Sequence, residues 1–160
     1  MTIPRLRLHG FTLSGHAHRA ELFLSILGLP FEKVEVDLKN DAHKSPAFLA
    51  KNPLGQVPVL EDGDVTLADS NAILVYLALK YDGSGKWYPR DPLVAARIQR
   101  WFSIAAGELQ TGPGIARRIV LFGAKLDHES AKASARAVVR RARMARQGRE
   151  DSRLHPDART

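Results

Sequence analysis

Residues 5–38 read RLRLHGFTLSGHAHRAELFLSILGLPFEKVEVDL. Arg5–His9 alternates leucine with charge, the period-two signature of a strand with one buried face. Gly10–Gly15 forms a loop. Ala17, Ala20, Phe23, Leu24 and Leu27 then recur at helical spacing, with Gly28 as the stop residue and Pro30 just beyond it. Phe31–Leu38 alternates again, with Val34, Val36 and Leu38 on one face and Lys33, Glu35 and Asp37 on the other. Strand, helix and strand in so short a stretch make a βαβ unit, so the first two strands are predicted to be parallel.

Outward from that unit, Pro46–Lys51 is a short helix candidate, with Ser45 as N-cap and proline at the first helical position. Asn52–Pro58 is dense in turn formers. Val59-Leu60 and Val65–Leu67, separated by Glu61-Asp62-Gly63-Asp64, are expected to form a hairpin with an Asp-Gly turn. Asp69 or Ser70 caps a helix through Ala72–Tyr81 that is apolar nearly all round and must be covered on both sides.

Asp82–Pro92 is rich in glycine and proline and reads as a linker, with residues 83–91 at its centre. Leu93–Leu109 has helical spacing, Gly112-Pro113-Gly114 breaks it, and Ile115–Phe122 resumes it. From His128 onward the only large apolar residues are Val138, Val139, Met144 and Leu154, which gives Ala131–Arg146 helical propensity but little to bury. The expected organisation is an α/β domain over residues 1–82, a linker over 83–91, and a partial helical domain over 92–160 that is basic, with a solvated or disordered end from about residue 136.

Composition excludes whole classes of chemistry. The 160-residue chain contains no cysteine, so disulfide scaffolds, thiolate-ligated metals and cysteine nucleophiles are ruled out. Ala72–Leu79 is the longest apolar run, far short of the roughly 20 residues a membrane helix needs. The start, with Pro4 and alternating Arg5 to Leu8, is unlike a signal peptide. A cytoplasmic protein with no membrane role is the expectation. The net charge of +7 is a property of the tail: residues 1–135 hold sixteen basic against fourteen acidic side chains, residues 136–160 eight against three. No aromatic residue interleaves the arginines, which argues against nucleic-acid function. No HExxH spacing accompanies the histidines, and Gly-x-Ser-x-Gly is absent, so neither a metal site nor a hydrolase is supported.

A few positions can carry chemistry. Ser14 lies between the first strand and its helix, where unpaired N–H groups favour an anion, and its hydroxyl can lower that anion's pKa. A plain N-cap serine is the alternative. His16 offers a second donor to the same anion, or is simply a surface histidine like His18. The Val57-Pro58 bond can be cis, presenting the Val57 backbone to an extended peptide, or trans at the opening of an edge strand. Asp69 and Ser70 open a buried helix. Capping accounts for them, yet a carboxylate and a hydroxyl there also suit the two charges of an α-amino acid end. His43 and Lys44 are either solvated charges or partners for another carboxylate.

The combination resembles the N-terminal domain of cytosolic glutathione S-transferases over residues 5–81. The resemblance is carried by Leu13-Ser14-Gly15 followed by Arg19, by Asn52-Pro53-Leu54-Gly55-Gln56-Val57-Pro58-Val59-Leu60, and by Leu67-Ala68-Asp69-Ser70-Asn71-Ala72-Ile73. It implies an α/β thioredoxin-like fold in the order βαβ-α-ββα, followed by an incomplete all-α domain. It implies glutathione as co-substrate and a small electrophile as its partner, with no metal. By resemblance Ser14 activates the glutathione thiol, with His16 in support. Val57, ahead of a cis Pro58, pairs with the cysteinyl unit, Asp69 and Ser70 hold the γ-glutamyl end, and His43, Lys44 and Gln56 meet the glycine carboxylate. A homodimer is also implied. A non-catalytic binding module of the same fold and an inactive fragment are the alternatives.

The resemblance reaches residue 129 and stops near Ala135. The capping box and apolar helices usual in the family give way to arginine, which raises the expectation of a truncated chain with a shifted reading frame near residue 135.

Overall fold

The computed structural model describes the backbone of residues 6–154 and side chains as far as residue 140, with Arg143. Pro4 and Arg5, residues 155–160, and most of the arginine-rich tail's side chains lie outside the described residues. Two compact units divide at Ala95 and Ala96.

The first unit is a four-stranded sheet in the order β2-β1-β3-β4, built from β1 (Leu6–Gly10), β2 (Phe31–Glu35), β3 (Val59–Asp62) and β4 (Val65–Ala68). β1 runs parallel to β2, as the βαβ reading requires, while β3 is antiparallel to both β1 and β4. Leu6, Leu8 and Leu60 face α1 (Gly15–Ile26) and α3 (Ser70–Tyr81), burying Ala20, Phe23, Leu24, Ile73, Leu77 and Ala78 between them. Neighbouring residues on a strand point to opposite faces. Val59 therefore joins a second cluster with Val36 and Phe48, the latter from α2 (Pro46–Leu49). This is the thioredoxin-like arrangement. α1 ends as its sequence demands: Gly28 has φ +65, its N–H donates to the Ser25 carbonyl, and the Leu29 N–H donates to the Leu24 carbonyl.

One expectation needs correction in this unit. The hairpin strands run further than the turn-forming residues suggested, so Glu61 and Asp62 belong to β3 and the loop is Gly63-Asp64, with Gly63 at φ +59. Within residues 82–91, read from sequence as a linker, the chain is tied locally. Asp82 accepts from the N–H groups of Ser84 (3.1 Å) and Trp87 (2.8 Å), and the Trp87 ring meets Phe23 edge-on at 5.6 Å.

In the second unit, α4 (Pro92–Ala106) stops at Gly107, and Gly112-Pro113-Gly114 sit in a π-helical turn, Gln110–Gly114, that leads into α5 (Ile115–Phe122). The turn widens the helix rather than breaking it. The last element is α6, a 27-residue helix from His128 to Leu154, where composition left a solvated or a disordered end open from about residue 136. Asp127 caps it, accepting from the N–H groups of Glu129 (3.0 Å) and Ser130 (3.1 Å). Its inward positions are small: Ala131 and Val138 are buried, and a Cβ on Gly112 would lie 2.8 Å from Ser134 Oγ and 3.1 Å from the Ala135 nitrogen. Backbone meets backbone there, and only glycine fits. Among the described residues no helix is long and apolar enough to cross a membrane.

Candidate functional site

The sheet register gathers the candidate residues at one end of the first unit. His9 at the end of β1 is opposite Val59 at the start of β3, and Val59 is opposite Ala68 at the end of β4. From that single row, β1 leads through a loop to Ser14 and α1. β4 leads directly to Asp69 and α3, and Val57-Pro58 precede β3. Two helix N-termini and a proline turn therefore leave one edge of the sheet.

Ser14 is the N-cap of α1, and its Oγ accepts from the Ala17 N–H at 3.2 Å. Capping uses the oxygen as acceptor and leaves the hydroxyl hydrogen to donate elsewhere. Ser14 is half-buried. His16, the second residue of the same helix, reaches Ser70, with Nδ1 at 3.2 Å from Oγ. The two side chains are 54 residues apart in sequence and tie the start of α1 to the start of α3. Ser70 is only 2% exposed, so its hydroxyl is directed within this corner rather than lost to bulk solvent.

Asp69 caps α3 from an unusual backbone conformation, φ 72 and ψ 125, and its Oδ1 accepts from the N–H groups of Asn71 (2.9 Å) and Ala72 (3.0 Å). A non-glycine residue at positive φ carries strain that its surroundings must sustain. Arg19, also on α1, donates to the Asn71 side chain. Burial works against the Arg19 guanidinium and lowers its pKa, and the Asp69 carboxylate partly offsets this. Arg19, Asn71 and Asp69 are thus a second tie between the two helices, one that sequence reading noted only as a motif position.

His43 and Lys44 end a 3₁₀ turn, Ala42–Lys44, that lies against the Asn52–Gln56 loop. Gly55 at φ +59 makes the contact possible: a Cβ there would sit 2.9 Å from the His43 carbonyl oxygen and 3.1 Å from Lys44 Nζ. Asn52 shapes the loop from inside, its Nδ2 donating to the Gln56 carbonyl at 2.8 Å. Among the described residues His43 Nδ1 is buried without a hydrogen-bond partner, and buried polar atoms of this kind call for an explanation. Gln56 is exposed, Val57 half-buried and Pro58 buried, with the Val57-Pro58 bond cis.

Sequence reasoning missed one contact at this edge. Glu35, at the end of β2, accepts from both the N–H (2.9 Å) and the Oγ1 hydroxyl (3.0 Å) of Thr12 in the loop that carries Ser14. Nothing in the local pattern of either residue signals a partner 23 positions away.

Residues 4–79 match the family described as glutathione S-transferase, N-terminal domain. Glutathione S-transferase 3 of Zea mays is 43% identical over 99 residues, covering 62% of this chain and 45% of the maize protein. Glutathione S-transferase theta-1 of Bos taurus is 41% identical over 98 residues, covering 61% of this chain and 41% of its own. The match therefore spans less than half the length of either relative. Among solved structures, a glutathione transferase homolog from Drosophila mojavensis with bound glutathione superposes with a TM-score of 0.76 at 29% identity, over 84% of this chain and 63% of the other.

Proposed function

Residues 4–79 match the glutathione S-transferase N-terminal domain, and from that premise we propose that the chain belongs to this family, binds glutathione and transfers it to small electrophiles, with Ser14 as the activating hydroxyl. The observation that carries this reading is the His16–Ser70 contact at 3.2 Å, which joins the two helix N-termini into one anion-favouring corner.

Glutathione has an ammonium, two carboxylates, an extended backbone and one thiol. In this reading Asp69 takes the ammonium, and Ser70 with the α3 N–H groups takes the adjacent carboxylate. The Val57 backbone, held ahead of Pro58, pairs with the cysteinyl unit. His43, Lys44 and Gln56 meet the glycine carboxylate, which would give the orphaned His43 Nδ1 a use. The thiol then lies at the start of α1. A free thiol has a pKa of about 8.5 and is only a few per cent ionised at neutral pH. The Ser14 O–H, aided by the dipole of α1 and by His16, favours the thiolate. The thiol proton passes to solvent, the sulfur lone pair forms a bond to the electrophilic carbon, and the leaving group departs with its electron pair. A homodimer and a cytoplasmic setting accompany this proposal on the strength of the family alone.

The test is a glutathione titration on the chain as it stands, followed by conjugation of a chloronitrobenzene. Saturable binding with turnover supports the transferase. Binding without turnover supports the non-catalytic module, the alternative that the chain's short match to its relatives keeps in play, and neither result supports the fragment. Ser14→Ala is expected to lower the conjugation rate about tenfold or more, since each pKa unit of lost thiolate stabilisation is a factor of ten, while glutathione affinity changes much less. Equal rates would remove Ser14 from the mechanism.

A further inference from the structure

The turn that delivers Ser14 is held from outside itself. β1 and β2 pair up to Gly10 and Glu35, and the Val36 N–H closes the ladder on the Gly10 carbonyl at 2.7 Å. Beyond Gly10 the chain leaves the sheet, and a four-residue turn follows in which the Ser14 N–H donates to the Phe11 carbonyl at 2.8 Å. Thr12 is the first inner residue of that turn. Both of its donors, N–H and Oγ1–H, end on the two oxygens of the Glu35 carboxylate, at 2.9 Å and 3.0 Å.

Ser14 needs none of this in order to cap α1, because its bond to Ala17 is local. An exposed carboxylate at the end of a strand also adds little to global stability. What the pair does fix is the turn's place relative to β2. Without Glu35, the N–H and the hydroxyl of Thr12 lose the carboxylate that both of them reach. With it, two charge-assisted hydrogen bonds of good length hold the peptide two residues before Ser14.

We propose that Glu35 is a positioning residue for Ser14, acting through Thr12 to set where the Ser14 hydroxyl meets the thiol. Glu35 itself touches no substrate in this scheme. The inference rests on the transferase reading above. Displacement of a reacting group by about 1 Å can cost on the order of a hundredfold in rate, so a clamp that trims a few tenths of an ångström of wander is expected to show in catalysis before it shows in stability.

The experiment uses the full chain and four variants: Glu35→Ala, Glu35→Gln, Ser14→Ala, and the double variant Glu35→Ala with Ser14→Ala. The readouts are the ultraviolet absorbance of the bound glutathione thiolate as a function of pH, kcat and KM for conjugation, and the thermal midpoint. Glu35→Ala is expected to move the thiolate titration to higher pH and lower kcat about tenfold, with the glutathione KM within about threefold. Glu35→Gln, whose amide oxygen still accepts from Thr12, recovers most of the loss. The double variant is no slower than Ser14→Ala alone, because Glu35 acts only through Ser14. An unmoved titration in Glu35→Ala, or losses that multiply in the double variant, overturns the inference while leaving the transferase reading intact. Failure of the unsubstituted chain to bind glutathione, or a Ser14→Ala variant with full activity, overturns that reading and the inference with it. If Glu35→Ala does not fold, Thr12→Val removes only the hydroxyl bond and is held to the same titration and the same non-additivity with Ser14→Ala.

Discussion

Ser14 serves two ends with one oxygen. As acceptor it satisfies the Ala17 N–H and starts α1. As donor it is the hydroxyl proposed to face the thiol. These roles separate under substitution. Aspartate caps a helix about as well as serine, but it brings a negative charge to the place where a thiolate must form, and a like charge disfavours ionisation. Ser14→Asp is therefore expected to unfold within about 0.5 kcal/mol of the unsubstituted chain while conjugation falls by at least roughly tenfold. Chemical denaturation and initial rates on one preparation check it. A variant that loses stability and activity in step would assign Ser14 to capping alone.

At the scale of an element, β3 is the informative strand. Its last two residues send carboxylates to opposite faces of the sheet. Asp62 accepts from the hydroxyls of Tyr76 (2.7 Å) and Tyr81 (2.6 Å) and from Lys80 Nζ (2.6 Å) on the α3 side. Burial opposes its ionisation, and those three donors outweigh the burial and keep its pKa below the ordinary value. On the other face Glu61 accepts from Lys51, from Arg7 at 3.3 Å, and lies 2.5 Å from His9 Nε2. The hydrogen bonds from Lys51 and His9 push the Glu61 carboxyl from 4.5 down to about 2. A depressed carboxylate stabilises the fold at pH values above its unfolded pKa, and that stability is lost as pH falls toward the folded one. Between pH 4.5 and 2 the first unit is thus expected to lose about 1–2 kcal/mol through Glu61, after allowance for screening at the partly exposed Lys51 and Arg7. Glu61→Gln should flatten that part of the profile, leaving the parallel fall due to the other depressed carboxylates, Asp37, Asp62 and Asp82. A denaturation series down to pH 2 on both proteins measures the difference, and superimposable slopes would rule the cluster out as an acid-labile tie.

The same strand shows what was legible. β1, α1 and β2 announce themselves through clean periods of two and 3.6, and the order of the elements through α3 follows from the βαβ unit and a short hairpin. Glu61 and Asp62 were hidden because acidic residues beside glycine read as turn chemistry, and only pairing with Arg7 and Leu6 across the sheet draws them into the strand. The tail was hidden differently. Ala131, Ser134, Ala135 and Val138 stand at i, i+3, i+4 and i+7, but a stripe of small residues carries little hydropathy, and its worth lies in close backbone approach at Gly112. Of the site, residue types and turn positions were readable. The ties between elements, His16 to Ser70 and Glu35 to Thr12, join positions too far apart for any local period to report.

At the scale of the whole molecule the two units are unequal. The first has a two-sided core with Leu6, Leu8, Leu24, Leu60, Ile73 and Leu77 at 1% exposure or less. In the second, α4 has no buried residue, Trp101 is 47% and Val120 81% exposed, and among the described residues burial rests on Gly112, Ile119, Ala131 and Val138. With apolar burial contributing about 25 cal/mol per Å², the second unit is expected to melt first, so a two-state description does not apply to the chain. Each unit holds one of the two tryptophans, Trp87 in the first and Trp101 in the second. Trp87→Phe therefore leaves fluorescence reporting the second unit, and Trp101→Phe the first. Gly112→Val drives a side chain into Ser134 and the backbone of Ala135. Overpacking of that kind costs typically 1–3 kcal/mol, so the Trp101 transition should drop by several degrees while the Trp87 transition and any glutathione affinity stay in place. If both tryptophans report one midpoint, and Gly112→Val shifts them together, the units fold as one cooperative body and the inequality of their cores has no thermodynamic consequence.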